Sequence, residues 1–249
     1  MIFIKDPLEI RKMREGGKIL TRILKSLEKE VGAGMSTWKL EEETRKLIIE
    51  NKAQPAFLNY QGYPTALCVS INEEIVHGVP SKSRIIKNGD LVSLDLGISY
   101  RGLITDASLT VGVGKVTNKE RKLVEVTKDA LNKAVVKAKA GNQVRDISRV
   151  IQKTIEEAGF RVIRDCVGHG VGKRVHEDPL IPNFVQRGKT EILKTGMTLA
   201  IEPIATLGSF RTVVDVNGWT VMTKDKSCTA HFEQTIAVGK NSGEILTPF

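Results

Sequence analysis

Four acids stand in runs of sequence that otherwise read as buried β-strands. Asp95 lies in Leu94-Asp95-Leu96-Gly97, and Asp106 in Ile104-Thr105-Asp106-Ala107. Glu202 closes the apolar run Met197-Thr198-Leu199-Ala200-Ile201-Glu202-Pro203, and Glu233 sits inside His231-Phe232-Glu233-Gln234-Thr235-Ile236-Ala237-Val238. Strand interiors are normally depleted in acids. A carboxylate in an apolar setting is driven to protonate unless a cation holds it. One such acid reads as a solvent-facing residue or as the partner of a Lys or Arg. Four together, two in each half of the chain, point to a shared cation. A two-residue turn at Tyr100-Arg101 would set Asp95 directly opposite Asp106, with Cβ atoms roughly 5 Å apart on one face.

The chain has four histidines: His77, His169, His176 and His231. His169 stands in Val167-Gly168-His169-Gly170-Val171-Gly172. Glycines on both sides let the backbone approach another group closely. The run lacks the Lys-Ser/Thr ending of a phosphate loop. Four carboxylates and one imidazole form an oxygen-rich donor set with a single nitrogen. That set suits Mn, Fe, Co or Zn in an open hydrolytic site rather than a closed structural zinc. Two ions sharing acids would make a co-catalytic pair.

The elements that must position these groups follow from periodicity. Met13, Gly17, Leu20, Leu24, Leu27 and Val31 recur at helical steps, and Gly32-Ala33-Gly34 ends that helix. Ser36 is placed to cap a second helix running to about Asn51. Leu67–Ile71, Leu91–Ile98 and Leu103–Val113 read as strands, with a turn near Tyr100-Arg101-Gly102. The plan then restarts. Thr117-Asn118-Lys119-Glu120 is a capping box, which opens a helix bearing Leu123, Thr127, Ala130, Ala134 and Ala138 on one face. Gly141-Asn142 breaks it. Val144, Ile147, Ile151, Ile155 and Ala158 outline the next helix, and strand-like segments fill the rest.

The restart is an internal repeat. Gly34 and Gly141 occupy the same helix–helix joint, 107 residues apart. Val76-His77-Gly78-Val79-Pro80 matches Val175-His176-Glu177-Asp178-Pro179. Ile86-Lys87-Asn88-Gly89, leading to Asp95, matches Leu193-Lys194-Thr195-Gly196, leading to Glu202. Each half contributes a histidine and then a carboxylate at a strand end. His231 has no counterpart in the repeat and reads as structural or as a support for the ligands. One domain over residues 1–249 is expected, built of halves of about 1–115 and 116–249.

Composition sets the broad class. Of 249 residues, 41% are apolar and 27% charged, which excludes a collagen, a coiled coil or a disordered tail. The net charge of +9 favours contact with polyanions such as RNA. No run reads as a membrane span, because the longest uncharged stretch, Ala53–Asn72, is broken by Pro55, Gly62 and Pro64. No signal peptide is visible at Met1–Asp6. Cys68, Cys166 and Cys228 form neither a disulfide framework nor a zinc pattern, so a reducing, cytoplasmic compartment is expected.

The ordered set Asp95, Asp106, His169, Glu202 and Glu233 resembles the five metal ligands of the methionine aminopeptidases. The flanking sequences resemble the type I bacterial form. They are Ser70-Ile71-Asn72-Glu73 before Val76-His77-Gly78, Asp95-Leu96-Gly97, Gly168-His169-Gly170-Val171-Gly172, His176-Glu177-Asp178-Pro179, Ile201-Glu202-Pro203 and Phe232-Glu233-Gln234-Thr235. The resemblance covers essentially the whole chain. It implies an α+β, pita-bread fold, shared with prolidase and creatinase. In that fold two pseudo-symmetric halves place antiparallel sheet around a dinuclear site, with helices outside.

The implied activity is metal-dependent hydrolysis that removes the N-terminal methionine of nascent chains when the second residue is small. By the resemblance, Asp95 binds one ion, His169 and Glu202 the other, and Asp106 and Glu233 bridge both, so that a shared hydroxide attacks the first peptide bond. Glu202 also moves the proton, His176 donates to the developing oxyanion, and His77 contacts the substrate backbone or amine. Tyr60, Tyr63, Cys68 and Trp219 line the methionine pocket. Val175 stands where related enzymes often carry Phe, and Phe57 where a small residue or Cys is common. The resemblance also implies Co, Mn, Fe or Zn as the metal, a monovalent cation near Asn72 and Thr229, and a monomer.

Two alternatives remain open at this stage. A proline-directed peptidase of the same fold usually adds an N-terminal domain and further histidines near the site. A non-catalytic module that binds ribosomes or RNA typically loses ligands, whereas all five positions are filled here. Transient ribosome association of an active enzyme is a further expectation from the basic charge.

Overall fold

The computed structural model describes residues 1–249. Four helices, α1 (Pro7–Glu30), α2 (Thr37–Glu50), α3 (Asn118–Lys137) and α4 (Val144–Glu157), flank the strands. In the first half the strands are β1 (Gln54–Pro55), β2 (Leu67–Ile71), β3 (Glu74–Val76), β4 (Leu91–Tyr100) and β5 (Leu103–Gly112). They continue with β6 (Arg161–Val162), β7 (Gly168–Gly170), β8 (Glu177–Ile181), β9 (Thr198–Ile201) and β10 (Ile204–Thr206). The last are β11 (Thr212–Val214), β12 (Val221–Thr223), β13 (Thr229–His231), β14 (Glu233–Ala237) and β15 (Glu244–Ile245). No helix is long and apolar enough to cross a membrane.

The helix signals act where the sequence puts them, with one exception. Thr117 and Glu120 close a capping box at α3, and Asp6 with Glu9 closes another at α1, satisfying orphan N–H groups at each start. Ser36 stands at the N-cap of α2 but makes no side-chain hydrogen bond there. Its segment instead pairs with the strand-like run at Ile85. The same joint recurs in the second half. Gly34 N–H donates to Ile86 O at 2.8 Å, and Gly141 N–H donates to Leu193 O at 3.0 Å. The isolated bridges Ser36–Ile85 and Gln143–Ile192 match in the same way.

One large antiparallel sheet runs β1-β4-β5-β14-β9-β7-β8, with β2 also on β4 and β15 on β14. Alternation divides its strands between two environments. Leu94, Leu96, Ile98, Ala107, Leu109, Leu199, Ile201 and Ile236 belong to one buried cluster that also holds Leu20, Leu24, Leu131 and Ile151 of the helices. Asp95, Asp106, His169 and Glu233 point to the opposite face. Emptying one of the buried leucine sites to alanine costs about 2–5 kcal/mol.

The hairpin register corrects the sequence reading. The turn is Arg101-Gly102, not Tyr100-Arg101, and Tyr100 pairs with Leu103. Both turn residues have positive φ, 51° and 79°, as the two-residue type I′ turn requires. Gly102 meets that need without strain, whereas Tyr100 would not. Asp95 therefore faces Ser108, and Asp106 faces Gly97. The two aspartates remain on one face but lie diagonally.

The second correction concerns the strand ends. Glu202 follows β9, and Glu233 opens β14 instead of lying within a continuous strand from His231. After Glu202 the chain leaves the large sheet for a three-stranded one, and before Glu233 it returns; in the smaller sheet β10 pairs with β13 and Ile204 faces His231. Phe232 N–H donates to Pro203 O at the crossover. The change of sheet, rather than strand propensity, brings the two glutamates together.

Candidate metal centre and active site

Five neighbouring strands deliver the five residues singled out by the sequence. Across the sheet they come from β4 (Asp95), β5 (Asp106), β14 (Glu233), the end of β9 (Glu202) and β7 (His169). Adjacent strands lie about 4.8 Å apart, so residues on one face at matched positions converge. Ligand atoms of Asp106, His169 and Glu233 lie within 4.8 Å of one another. His169 Nε2 is 3.9 Å from Glu233 Oε1. Asp95 and Glu202 complete the lining of the same cavity.

The electrostatics of this cluster are unbalanced. Asp95, Asp106, Glu202 and Glu233 are all buried, and none pairs with a Lys or Arg. Asp95 Oδ1, Asp106 Oδ1 and Glu233 Oε1 have no hydrogen-bond partner. Burial, then repulsion from the neighbouring acids, pushes Asp95 and Glu233 well above the usual carboxylate range. Asp106 is pushed up to about 8 for the same reasons. Glu202 behaves differently. Burial acts to raise it, but the close approach of His231 and the surrounding imidazoles hold it below its ordinary value. His231 Nε2 stands 3.4 Å from Glu202 Oε2, which gives this histidine its supporting place.

These observations fit divalent cations. Oxygen atoms left without partners in a buried, net-negative cluster are the chemistry such ions satisfy. His169 Nδ1 meets Gly170 O at 2.9 Å, so that nitrogen carries the proton and Nε2 is left as a donor atom toward the carboxylates.

The cavity beside the cluster has a volume of about 280 Å³. Its wall carries the expected Tyr60, Tyr63, Cys68, His77, His176 and Trp219. Tyr60 Oη and His176 Nδ1 are 3.0 Å apart. Burial and then the nearby His169 lower His176 to about 4, and burial lowers His77 as well. Both are neutral near pH 7. Tyr63 packs edge-on against Trp219 with ring centroids 5.4 Å apart, and its hydroxyl donates to Gly78 O at 3.0 Å. Burial pushes the Cys68 thiol well up, which leaves it a packing group. Phe57 and Val175 also line the cavity.

Sequence reasoning did not select Gln61, Val76, Asp165, Cys166, Val167 or Val221, which also line the wall. Three of them, Asp165, Cys166 and Val167, run up to Gly168-His169, and Val221 follows Trp219 by two residues. Strand alternation from a known site residue could have found Val221. Asn72 and Thr229, expected beside a monovalent cation, do adjoin each other: Thr229 Oγ1 donates to Asn72 O and Glu74 O, each at 3.0 Å.

This combination of sheet and acids defines a metallopeptidase, and the chain belongs to metallopeptidase family M24, which matches residues 11–240. Within that family its similarities are to methionine aminopeptidases. The Clostridium acetobutylicum enzyme of that name is 43% identical over 247 residues, covering 99% of each chain. The crystal structure of the Thermotoga maritima methionine aminopeptidase superposes with a TM-score of 0.97 at 46% identity, covering both chains fully. The prolidase from Pyrococcus furiosus matches 99% of this chain and 65% of its own length, with a TM-score of 0.81 and 26% identity. The fold is therefore the pita-bread fold, and the chain is a hydrolase of a metal-using family.

Proposed function

We propose that this chain removes the N-terminal methionine from polypeptides whose second residue is small, nascent chains among them. The observation that carries the reading is the set of four buried acids and one imidazole converging without a Lys or Arg partner. Likeness to enzymes named methionine aminopeptidase, over nearly the full length, gives that cluster its reaction. Asp95, Asp106, His169, Glu202 and Glu233 would hold two divalent ions, drawn from Co, Mn, Fe or Zn, and a monovalent cation would sit beside Asn72 and Thr229. When bound, the divalent ions supply Lewis acidity, which lowers the pKa of water and stabilises charge developing on the scissile carbonyl.

The chain's own groups do the rest. Glu202, held ionised by His231, takes the proton of the attacking water at a carboxylate oxygen and passes it to the leaving amine. Tyr60 Oη lies 3.0 Å from His176 Nδ1, and with the tyrosine hydroxyl as the donor the ring proton sits on Nε2. From there it can donate to the substrate carbonyl oxygen as that oxygen gains charge. His77, neutral and open to the cavity, contacts the substrate backbone. The aromatic wall of Tyr60, Tyr63 and Trp219, with Cys68, takes the thioether side chain.

The whole chain acts as one catalytic domain of two halves, about 1–115 and 116–249. It works as a cytoplasmic monomer, where reducing conditions keep its three cysteines as thiols. The charge of +9 supports transient contact with ribosomal RNA, which salt-dependent co-sedimentation would test. The reaction itself is tested by methionine release from Met-Ala-Ser with Co²⁺, Mn²⁺ or Fe²⁺ added to metal-free protein, with Asp106→Ala as control. Metal-dependent release that the control lacks is expected. No release from folded protein with any metal would overturn the reading.

A further inference from the structure

In the internal repeat His77 is followed by Gly78, whereas His176 is followed by Glu177. The reaction described above gives Glu177 no part. Its Oε1 accepts the backbone N–H groups of Lys173 at 2.6 Å and Arg174 at 3.1 Å. It thereby braces the irregular stretch Gly172–His176, which brings Val175 and His176 to the cavity. Its Oε2 pairs with Lys5 Nζ, and both side chains are buried. Lys5 lies ahead of α1, where its backbone N–H donates to Gly196 O at 2.7 Å. Its stem passes over Gly172, where an added Cβ would stand 2.5 Å from Lys5 Cε and 3.1 Å from Nζ. The last glycine of Gly168-His169-Gly170-Val171-Gly172 thus makes room for a lysine from the other end of the chain. Further contacts join the same two regions. Lys173 Nζ and Arg174 Cζ lie 5.8 Å and 5.9 Å from the centre of the Phe3 ring, and Glu9 at the start of α1 pairs with Lys173 at 3.1 Å.

We propose that Lys5 is a positioning residue for His176, acting through Glu177 and the stretch that its carboxylate braces. The proposal rests on the reading above in which His176 donates to the substrate carbonyl oxygen. A donor aimed at charge that develops only in the transition state must be held in place before that charge appears. Tyr60 Oη, 3.0 Å from Nδ1, and the His169 ring, edge-on with centroids 4.4 Å apart, orient the imidazole. They do not hold the backbone that carries it. Glu177 holds that backbone, and Lys5 holds Glu177. Without the ammonium, the carboxylate is a buried charge short of its cation. It then turns toward water and lets go of the Lys173 and Arg174 N–H groups, and the stretch bearing His176 loosens.

The test is a double-mutant cycle of Lys5→Met, His176→Ala and the double variant, loaded with Mn²⁺ and assayed on Met-Ala-Ser. Lys5→Met keeps the stem and removes the charge. It is expected to lower kcat about 10- to 100-fold, the scale of a displaced catalytic donor. KM should stay within about 2-fold, because the lost contact belongs to the transition state. His176→Ala should lower kcat by about 10²- to 10³-fold. In that background Lys5→Met should have little further effect, because no imidazole remains to be positioned. A readout without turnover comes from ¹⁵N-labelled imidazoles in the metal-free protein, with the His176 resonances assigned by their loss in His176→Ala. Lys5→Met should move the His176 resonances and leave those of His231 in place.

Equal losses of kcat with and without His176 would overturn the proposal, since Lys5 would then act on the fold at large. So would an unchanged kcat in folded Lys5→Met. Phe3→Ala, which leaves the ion pair intact and removes the ring beneath Lys173 and Arg174, guards against a Lys5→Met protein that fails to fold. It should lower kcat in the same direction by less, again only while His176 is present, and in that case an unchanged kcat overturns the proposal. If no protein releases methionine, the reaction reading fails and the imidazole resonances decide the positioning role. Displaced His176 resonances then support it, and unmoved ones overturn it.

Discussion

Two groups of buried carboxylates in this molecule are equally hidden from water and differ in everything else. Glu41 on α2 is fully buried, and its oxygens accept the backbone N–H groups of Ala66 and Leu67, each at 2.9 Å, while Arg45 Nε donates at 2.5 Å. Glu177 likewise accepts from Lys173 N–H at 2.6 Å and Arg174 N–H at 3.1 Å, and forms a buried ion pair with Lys5. Asp95, Asp106 and Glu233 have comparable burial but leave oxygens without partners and have no cation. Burial of a charge without partners costs several kcal/mol. The first pair is built to be satisfied by the chain itself. The second group is left unsatisfied by it, which is the state a ligand site needs.

The largest effects should fall on the unsatisfied group. Asp106→Asn should lower methionine release by on the order of 10³-fold or more, a loss of about 4 kcal/mol of transition-state stabilisation. It should also weaken Mn²⁺ binding in direct titration. Near-normal activity with near-normal binding would place the ions elsewhere. Glu41→Ala is expected to act in the opposite domain of measurement. Arg45 is partly exposed and stays solvated, but the buried N–H groups of Ala66 and Leu67 lose their acceptor, at about 1–3 kcal/mol for each unsatisfied group, read as a loss of unfolding free energy in denaturant. Mn²⁺ affinity of the fraction that stays folded should change little. An Asp106→Asn protein that unfolds as readily as Glu41→Ala would erase the distinction.

The same comparison has a pH signature. In the metal-free chain, Asp95, Asp106 and Glu233 are raised by burial and mutual repulsion, Asp106 to about 8. The folded state then binds more protons than the unfolded one between the ordinary carboxylate range and these raised values. The contribution of the three to stability is fully present below that ordinary range and is lost as pH rises through the folded values. Glu202, which is lowered, works in the other sense, losing its contribution as pH falls through its folded value. Three groups outweigh one. Metal-free protein should therefore melt at a lower temperature at pH 8 than at pH 6, and saturating Mn²⁺ should raise Tm more at the higher pH. Asp106→Asn should reduce the pH dependence and raise the metal-free Tm at pH 8 by a few degrees, about 1 kcal/mol. A Tm rise with Mn²⁺ of the same size at both pH values would show that the acids do not carry the effect.

The physics of legibility follows the same divide. The helices, the strands Leu67–Ile71 and Leu103–Gly112, and the box at Thr117–Glu120 were legible because apolar spacing and local capping specify them within a few residues. The acids stood out because each interrupts an apolar run. What was not legible was non-local. The register of β4 on β5 depends on which two residues turn, and a shift of the turn by one residue moved the partner of Asp95 by two. The crossovers at Glu202-Pro203 and Phe232 depend on β10 meeting β13, a contact between segments more than twenty residues apart. Ser36 lost its expected cap to a bridge with Ile85, a competition that local propensity does not contain.

The smallest expected effect tests whether the hairpin turn or the sheet holds the aspartates in place. Gly102 has φ of 79°, and a Cβ there would meet nothing within 4 Å, so Gly102→Ala adds backbone strain and no clash. The cost should be about 1 kcal/mol, a shift of roughly 2–4 °C in Tm for a chain of this size. Mn²⁺ affinity and methionine release should stay within a factor of about two, a difference of less than 0.5 kcal/mol. The reason is that β4 is also paired with β1 and β2, while β5 is paired with β14, so register is fixed on both outer sides of the hairpin. A one-residue slip would turn Asp95 to the apolar face and break all of those pairings together. Loss of metal affinity out of proportion to the loss of stability would mean that the turn sets the register. The outer pairings would then follow from the turn, and the diagonal placement of Asp95 and Asp106 would rest on two residues.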